Sequence, residues 1–353
     1  MDELPELSRK SVNKAGQILA ESFSGDTVGD DEWFQALEVL SQWRTRHSYP
    51  INTFQATLRA RLSKLKIENV VVAQRLKRTP SIIRKLVRFE GMMLARMQDI
   101  GGLRAVVPNM NALHKLRGSY ETSGNSFKHS LVSSKNYIES PKDDGYRSLH
   151  QVFKYQSTKA PIFNGLCVEL QIRTRLQHAW ATAVETTDIL LNQALKSGQG
   201  DFHYREFFEL CGAAICHFER TPCNAKYLDV SFEDIKQQIL TLENSLQLLF
   251  KLQGLTVATN QIQAPSSKAA AYHLIVLDYD NRELQMIPFA RDQITAATEE
   301  YSKFELKVQA GAPFEVVLVS AGTAKNIKQA YPNYFLDTSI FVRQIRKIIY
   351  PDA

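Results

Sequence analysis

Cysteine is scarce in this chain of 353 residues: Cys167, Cys211, Cys216 and Cys223 are the only four, and none lies beyond residue 223. Their spacing fits no zinc site and excludes a small disulfide-stapled scaffold, so four thiols in a reduced compartment are expected. Long apolar runs are missing too; nothing approaches the roughly 18 residues that would cross a bilayer. The opening Met-Asp-Glu-Leu-Pro-Glu-Leu is acidic and lacks the apolar core of a signal peptide, which points to a cytoplasmic protein with no membrane partner. Internal repeats and low-complexity tracts are absent, which argues against solenoids and disordered tails. A large excess of one charge is absent as well. The formal net charge of +6 is mildly basic, too little for a dedicated nucleic-acid coat.

What is present is an ordinary globular composition, 44% apolar, at a length that suits two domains. Apolar residues of the first 66 positions, among them Ile18, Leu19, Phe23, Trp33, Leu37, Leu40 and Trp43, recur at near-helical spacing and read as core-facing helices. Residues 70–97 read as a basic, helix-forming segment with Pro80 near the start of its second part. A mixed α/β stretch follows: strands at 103–107, 148–156 and 166–173, and helices at 113–120, 175–195 and 202–219. A further helix opens at Ser231, with Asp234 as its capping-box partner, and ends at Gly254. Residues 255–270 lose periodicity and read as a linker. Beyond them come a strand–turn–strand at 272–289, a helix, a strand at 314–320, another helix and a terminal helix over 338–349, a small α+β unit.

Three segments carry candidate chemistry. Arg75, Lys77, Arg78, Arg84, Lys85 and Arg88 crowd into one short stretch, which suits phosphates and equally suits a solvated helix face. In Asp99-Ile-Gly-Gly-Leu-Arg104 an aspartate precedes a glycine turn, where a backbone can approach a ligand and a carboxylate can hold magnesium. Taken alone this is a weak signal. The loop Lys142-Asp-Asp-Gly-Tyr-Arg-Ser-Leu-His150 is followed by Val168-Glu-Leu-Gln-Ile-Arg-Thr174, whose alternation sets Glu169, Gln171 and Arg173 on one strand face. A carboxylate and a guanidinium beside a basic loop with a lone tyrosine suit a nucleotide and its metal. From the residues alone, Lys142 reads equally as a solvated lysine and His150 as a satisfied core histidine.

In combination, over about residues 60–195, these segments resemble the synthetase domain of the RelA/SpoT family. The resemblance implies an α+β fold: a mixed β-sheet, nucleotidyltransferase-like, wrapped by helices. It implies an ATP-dependent pyrophosphokinase that moves the β,γ-pyrophosphate of ATP to a ribose 3′-hydroxyl, with Mg2+ as cofactor. On matching positions it implies Arg75, Lys77, Ser81, Lys85 and Arg104 as ATP ligands and Asp99 and Glu169 as magnesium carboxylates. Lys142, Tyr146, His150, Gln171 and Arg173 fall on the acceptor side, with Tyr146 stacking on the acceptor base. The candidate catalytic set is Asp99, Glu169, Arg104 and Tyr146. Trp180 reads as packing and His178 stays open. No histidine is followed by aspartate, so the hydrolase domain of the long family members is not expected.

The last part of the chain resembles the fused antitoxin domain of CapRel proteins, toxic small alarmone synthetase relatives of phage defence. That implies a small α+β, pseudo-zinc-finger-like C-terminal domain, with residues 1–254 as synthetase, 255–270 as linker and 271–353 as antitoxin and sensor. It implies a monomer that Tyr331 and Tyr334 hold inactive until a phage protein, typically of the capsid, binds. By spacing alone those two tyrosines read as helix-end packing. The acceptor implied is the 3′-terminal adenosine of tRNA, with Arg117 and Lys128 as candidates for holding the acceptor stem. The alternative is a guanosine or adenosine nucleotide converted to a (p)ppGpp- or (p)ppApp-type alarmone.

Overall fold

The computed structural model describes residues 7–24, 30–121, 127–191, 195, 200–259, 270–278, 283–290, 292–309, 312, 314–320 and 337–350. Three helices open the chain: α1 (Arg9–Ser24), α2 (Asp31–Arg46) and α3 (Ser48–Lys64). α2 starts where the Asp30 carboxylate accepts the Trp33 N–H at 2.7 Å, and it buries Trp33, Ala36, Leu40 and Trp43. β1 (Val71–Leu76), α4 (Thr79–Arg88), β2 (Gly101–Val107), α5 (Met110–Glu121), β3 (Ser130–Asn136), β4 (Leu149–Lys154) and β5 (Cys167–Thr174) follow. Four helices come next: α6 (Arg175–Leu191), α7 (Phe202–Glu219), α8 (Phe232–Leu246) and α9 (Leu248–Thr259). The chain ends with β6 (Tyr272–Asp278), β7 (Glu283–Phe289), α10 (Ile294–Gln309), β8 (Phe314–Ser320) and α11 (Ser339–Ile349).

The strands form one mixed sheet in the order β3-β4-β5-β2-β1-β8-β6-β7. β2 and β5 run parallel and the other pairs run antiparallel. This is the expected α+β class, with a mixed sheet wrapped by helices. One face packs on the amino-terminal helices. Gly101 faces that way because a Cβ there would meet the Ile51 side chain of α3 at 2.8 Å. A second core gathers Trp180 and Val184 of α6, Phe207 and Ile215 of α7, Ile235 of α8, Leu252 of α9 and Phe341 and Ile345 of α11. No helix among the described residues is long and apolar enough to cross a membrane.

Several expectations change here. The basic segment read as helical from residue 70 begins with a strand, β1. Its β-branched Val71-Val72 start follows Asn69 in a left-handed turn, and both of its edges are paired, to β2 and to β8. β3, which the polar sequence hid, is an edge strand with mostly exposed side chains. α8 stops at Leu246 with Gln247 in the left-handed conformation, ahead of Gly254. α9 then runs through the start of the expected linker. Its Leu249 N–H donates to the Glu243 carboxylate of α8 at 3.0 Å. The three strands of the expected carboxy-terminal unit continue the sheet, β8 pairing with β1 at Gln74 and Arg75. Cys216 and Cys223, expected as free thiols, are joined as a disulfide, with Cys167 and Cys211 free. Tyr331 and Tyr334 lie outside the described residues.

Candidate active site

The free face of the sheet is organised by register. Moving across the strands, Ser133 pairs with Val152, Val152 with Glu169, Glu169 with Gly102 and Gly102 with Arg75. One step along, Lys135 pairs with His150, His150 with Gln171, Gln171 with Arg104 and Arg104 with Ala73. Because side chains alternate along a strand, these two rows share one face. Gly102 keeps its place in the first row free of a side chain, between Arg75 and Glu169. Over the rows lies a cleft of about 1130 Å³, ample for a nucleotide and an acceptor group.

Almost every residue expected from the sequence lines this cleft: Arg75, Lys77, Lys85, Asp99, Arg104, Lys142, Tyr146, His150, Glu169, Gln171 and Arg173. Ser81 does not; it sits in the first turn of α4 with its N–H on the Arg78 carbonyl. Arg117 is also elsewhere, its guanidinium committed to Glu121 at 2.7 Å and Glu139 at 2.8 Å. His178 is buried in α6 and does not line the cleft.

Two carboxylates anchor the floor. Asp99 Oδ2 accepts from Lys77 Nζ and Oδ1 from Lys85 Nζ, both at 2.9 Å. Burial pushes the Asp99 carboxyl upward, but the two ammonium groups outweigh it and hold the group below the usual aspartate range. Glu169 Oε1 meets His150 Nδ1 at 2.9 Å, and Oε2 accepts from Gln171 Nε2 at 2.8 Å. Burial again acts upward, and so does the charge of Asp99. The His150 and Gln171 hydrogen bonds prevail, so Glu169 too lies below its ordinary value. Asp99 and Glu169 line the same cleft.

A hydrogen-bonded chain leaves Glu169 toward the loop. His150 Nε2 meets the Tyr146 hydroxyl at 2.8 Å, and that hydroxyl accepts from Arg173 Nη2 at 2.9 Å. Arg173 Nη2 also donates to Gln171 Oε1 at 3.0 Å, which closes the ring of contacts. In the tautomer that donates Nδ1–H to the Glu169 carboxylate, Nε2 accepts the Tyr146 O–H. The Tyr146 ring is flanked by Lys142 Nζ, 5.1 Å from its centroid, and the Arg173 guanidinium, at 5.2 Å. Tyr137 stands edge-on at 5.9 Å between centroids.

The loop is pinned from below. Gly145 has φ +86 and packs so closely on Gly212 of α7 that a Cβ at Gly212 would meet its Cα at 3.2 Å. Trp180 Nε1 donates to the Phe208 carbonyl at 2.8 Å, and a Cβ on Gly145 would lie 3.3 Å from its ring. Trp180 therefore packs, as expected, and also lines the cleft. Arg147 turns away from the cleft to Thr221 Oγ1 at 2.6 Å and the Pro222 carbonyl at 2.7 Å. Burial lowers its pKa to about 10, opposed by Glu219.

Arg88 of the basic stretch lines the cleft as well; sequence reasoning missed Tyr137, Lys135, Phe89, Met92, Arg96 and Arg205, all lining it. Tyr137 precedes the loop by only a few residues, and its aromatic ring was a readable signal. The rest lie on segments whose facing is set by packing.

Among the described residues no cluster of three metal-ligating side chains exists. The donor set still fits a hard cation that takes one or two protein carboxylates and completes its shell with phosphate and water. Each oxygen of Asp99 and Glu169 carries one protein hydrogen bond and keeps a second lone pair.

The comparison with known proteins meets this geometry directly. Residues 74–188 match the region found in RelA/SpoT proteins. That RelA/SpoT region spans about a third of the chain and contains every cleft residue expected from the sequence, from Arg75 to Arg173. No curated protein matches the chain. Among solved structures, the small alarmone synthetase 1 of Bacillus subtilis bound to its product pppGpp aligns at 21% identity. It covers 54% of this chain and 94% of that one with a TM-score of 0.43. The small alarmone synthetase 2 of the same organism aligns at 21% identity over 50% and 91%, with a TM-score of 0.41. A GTP pyrophosphokinase family protein from Streptococcus pneumoniae aligns at 20% identity over 60% and 98%, with a TM-score of 0.42.

The lowered Asp99 pKa sets the sign of a stability effect. A carboxyl depressed in the folded state contributes stability above its unfolded pKa and loses it as pH falls through the folded value. Asp99→Asn is therefore expected to destabilise the protein by about 1 kcal/mol near neutrality, the partly exposed pairs being screened. The difference from wild type should shrink as pH falls below the ordinary aspartate range. Thermal melts of both proteins from neutral pH down into that range check this, and a difference that stays constant would contradict it.

Proposed function

We propose that the protein transfers the β,γ-pyrophosphate of ATP to a ribose 3′-hydroxyl. The acceptor oxygen attacks the β-phosphorus, the bond from that phosphorus to the bridging oxygen of AMP breaks, AMP leaves with that oxygen, and the hydroxyl proton passes to solvent water. The observation that carries this reading is the pairing of Asp99, bound by two lysines, with Glu169 in one cleft. Arg75, Lys77, Lys85 and Arg104 form its cationic end, and Tyr146 stands at the other. Fixed cations suit a triphosphate, whose charge repels an incoming nucleophile unless it is offset. Asp99 and Glu169 would hold Mg2+, which supplies further charge neutralisation on the phosphates. The lowered pKa of Glu169 suits a metal-holding carboxylate better than a strong proton acceptor. Tyr146 offers an aromatic face for the acceptor base, fixed in orientation by Arg173 and His150.

The acceptor we propose is the 3′-terminal adenosine of tRNA, in a protein whose carboxy-terminal part inhibits it and senses a phage protein. The exposed Lys135 and Lys142, which line the cleft, support a polyanionic acceptor; Lys128, exposed just before β3, does not line it. One observation favours a second reading, a free nucleotide acceptor. Asp143, Asp144 and Glu185 also line the cleft and oppose a long polyanion. Incubation with γ-labelled ATP and, separately, bulk tRNA, GDP or AMP separates the two. Label is expected in tRNA. Label in nucleotides and never in tRNA would establish the second reading, and label in neither would reject pyrophosphate transfer.

A further inference from the structure

A buried ion pair lies behind the cleft. Arg44 of α2 and Glu305 of α10 meet at 2.8 Å, with side-chain exposures of 1% and 6%. Neither residue lines the cleft, and no step above uses them. Their place becomes intelligible from the start of α4. That helix begins poorly on local chemistry: the side chain of Arg78 at the N-cap does not cap the helix, the first turn has no acid, and Pro80 has no N–H. The first N–H groups of a helix need acceptors, and its positive end favours a carboxylate. Glu305 meets both needs from 226 positions away. Its Oε1 accepts the Thr79 N–H at 2.8 Å, and its Oε2 accepts the Thr79 hydroxyl at 2.7 Å. Arg44 Nη1 bridges Glu305 Oε2 and Thr79 Oγ1, each at 2.8 Å, and its guanidinium lies 4.7 Å from the ring centroid of Tyr301, also on α10.

The helix capped in this way carries Lys85 into the cleft. Lys85 lies six residues past Thr79, about 9 Å along the axis, where its ammonium holds Asp99 at 2.9 Å. A second link runs in parallel. β8 pairs with β1 at Gln74 and Arg75, and Arg75 lines the cleft. A third passes through Asn52, whose amide donates to the Tyr272 hydroxyl at 3.2 Å and accepts from Gln74 at 2.7 Å.

We propose that Glu305 is a positioning residue for the cationic end of the cleft, capping α4 across the sequence and so setting Lys85 against Asp99. The carboxy-terminal segment is then a working part of the competent site. Its removal exposes the β1 edge, leaves the first N–H of α4 without its acceptor and strips Arg44 of its counter-charge. This inference rests on the reading of the cationic end as the ATP end.

The test uses the full-length chain. Glu305→Gln alone leaves the Arg44 charge buried and unpaired and is expected to fold poorly. Two double variants avoid that problem by removing both charges together. Glu305→Leu with Arg44→Met removes the cap. Glu305→Gln with Arg44→Met removes the charges and keeps an acceptor for the Thr79 N–H. Titration with α,β-methylene ATP, which lacks the oxygen bridge broken in the proposed transfer, and hydrogen exchange of the α4 amides are read in both. For the leucine variant the expected result is analogue binding weaker by about tenfold, the usual worth of a helix cap. Its α4 amides should exchange faster by a similar factor, with α5 unchanged. The glutamine variant should recover most of both losses, which a role in overall stability alone would not produce. Wild-type affinity and wild-type α4 exchange in the leucine variant would overturn the inference. Failure of the wild-type chain itself to bind the analogue would instead overturn the ATP reading, while α4 exchange would still report whether Glu305 holds the helix.

Discussion

Asp99→Asn is expected to lower kcat/KM by about 10²–10³-fold, the usual loss when one fixed electrostatic group of a reaction site is removed. Binding of ATP in the absence of metal should not weaken. The two expectations differ because Asp99 has opposing effects. Its charge is the acid that two lysines hold at 2.9 Å each, and it is one of two carboxylates fit for Mg2+. Without metal, that same negative charge repels a triphosphate and occupies the two ammonium groups that would otherwise meet it. Neutralising Asp99 therefore frees Lys77 and Lys85 toward phosphate while removing one of the two carboxylates proposed to hold Mg2+. Turnover measured with Mg2+ and calorimetric titration of ATP in excess chelator check the pair of expectations. Turnover close to wild type would remove Asp99 from the reaction. Lost turnover together with lost metal-free binding would mean that Asp99 acts by arranging the lysines.

How much of this was legible in the sequence depends on how local the cause is. β5 was readable because Val168 to Thr174 alternates, and the alternation set Glu169, Gln171 and Arg173 on one face, where the structure has them. The loop from Lys142 to His150 was readable because a glycine between acids and an aromatic marks a turn, and Gly145 indeed takes a positive φ. β1 was not readable. Its Val71-Val72 start favours a strand, but Arg75 merges with the basic run that follows, and two valines settle nothing until β2 and β8 pair with both edges. β3 was hidden because an exposed edge strand has no apolar face to advertise. The cap on α4 lay furthest from view, since Glu305 and Thr79 have no relation in sequence and meet only after the sheet has formed. Arg117 is the opposite case: its partner Glu121 lies one helical turn on in the same helix, and Glu139 follows β3.

Tyr146→Ala is expected to lower kcat/KM for the acceptor by about 10–100-fold, matching the roughly 1–3 kcal/mol of a base on an aromatic ring, with the KM for ATP unchanged. The ring's surroundings make the comparison with Tyr146→Phe decisive. The phenol oxygen sits between Arg173 Nη2 at 2.9 Å and His150 Nε2 at 2.8 Å, so it fixes the ring and also holds His150 against Glu169. Phenylalanine keeps the platform and removes those bonds, leaving His150 Nε2 without its donor. If stacking is the main contribution, Phe should retain acceptor KM and lose mainly in kcat, through a looser His150–Glu169 contact. If Phe and Ala fall equally, the hydroxyl network and not the ring face carries the acceptor site. A cycle adding His150→Ala to each variant separates the two effects. Coupling of about 0.5–3 kcal/mol, the range for directly bonded neighbours, is expected between Tyr146→Phe and His150→Ala. Additive losses in that pair would show that the Tyr146–His150 bond has no part in turnover. Lys142, poised 5.0 Å from the Tyr137 centroid and 5.1 Å from that of Tyr146, occupies the space a base would enter. It is exposed, so its ammonium can leave the ring face for solvent or phosphate when the acceptor arrives, without breaking a buried contact.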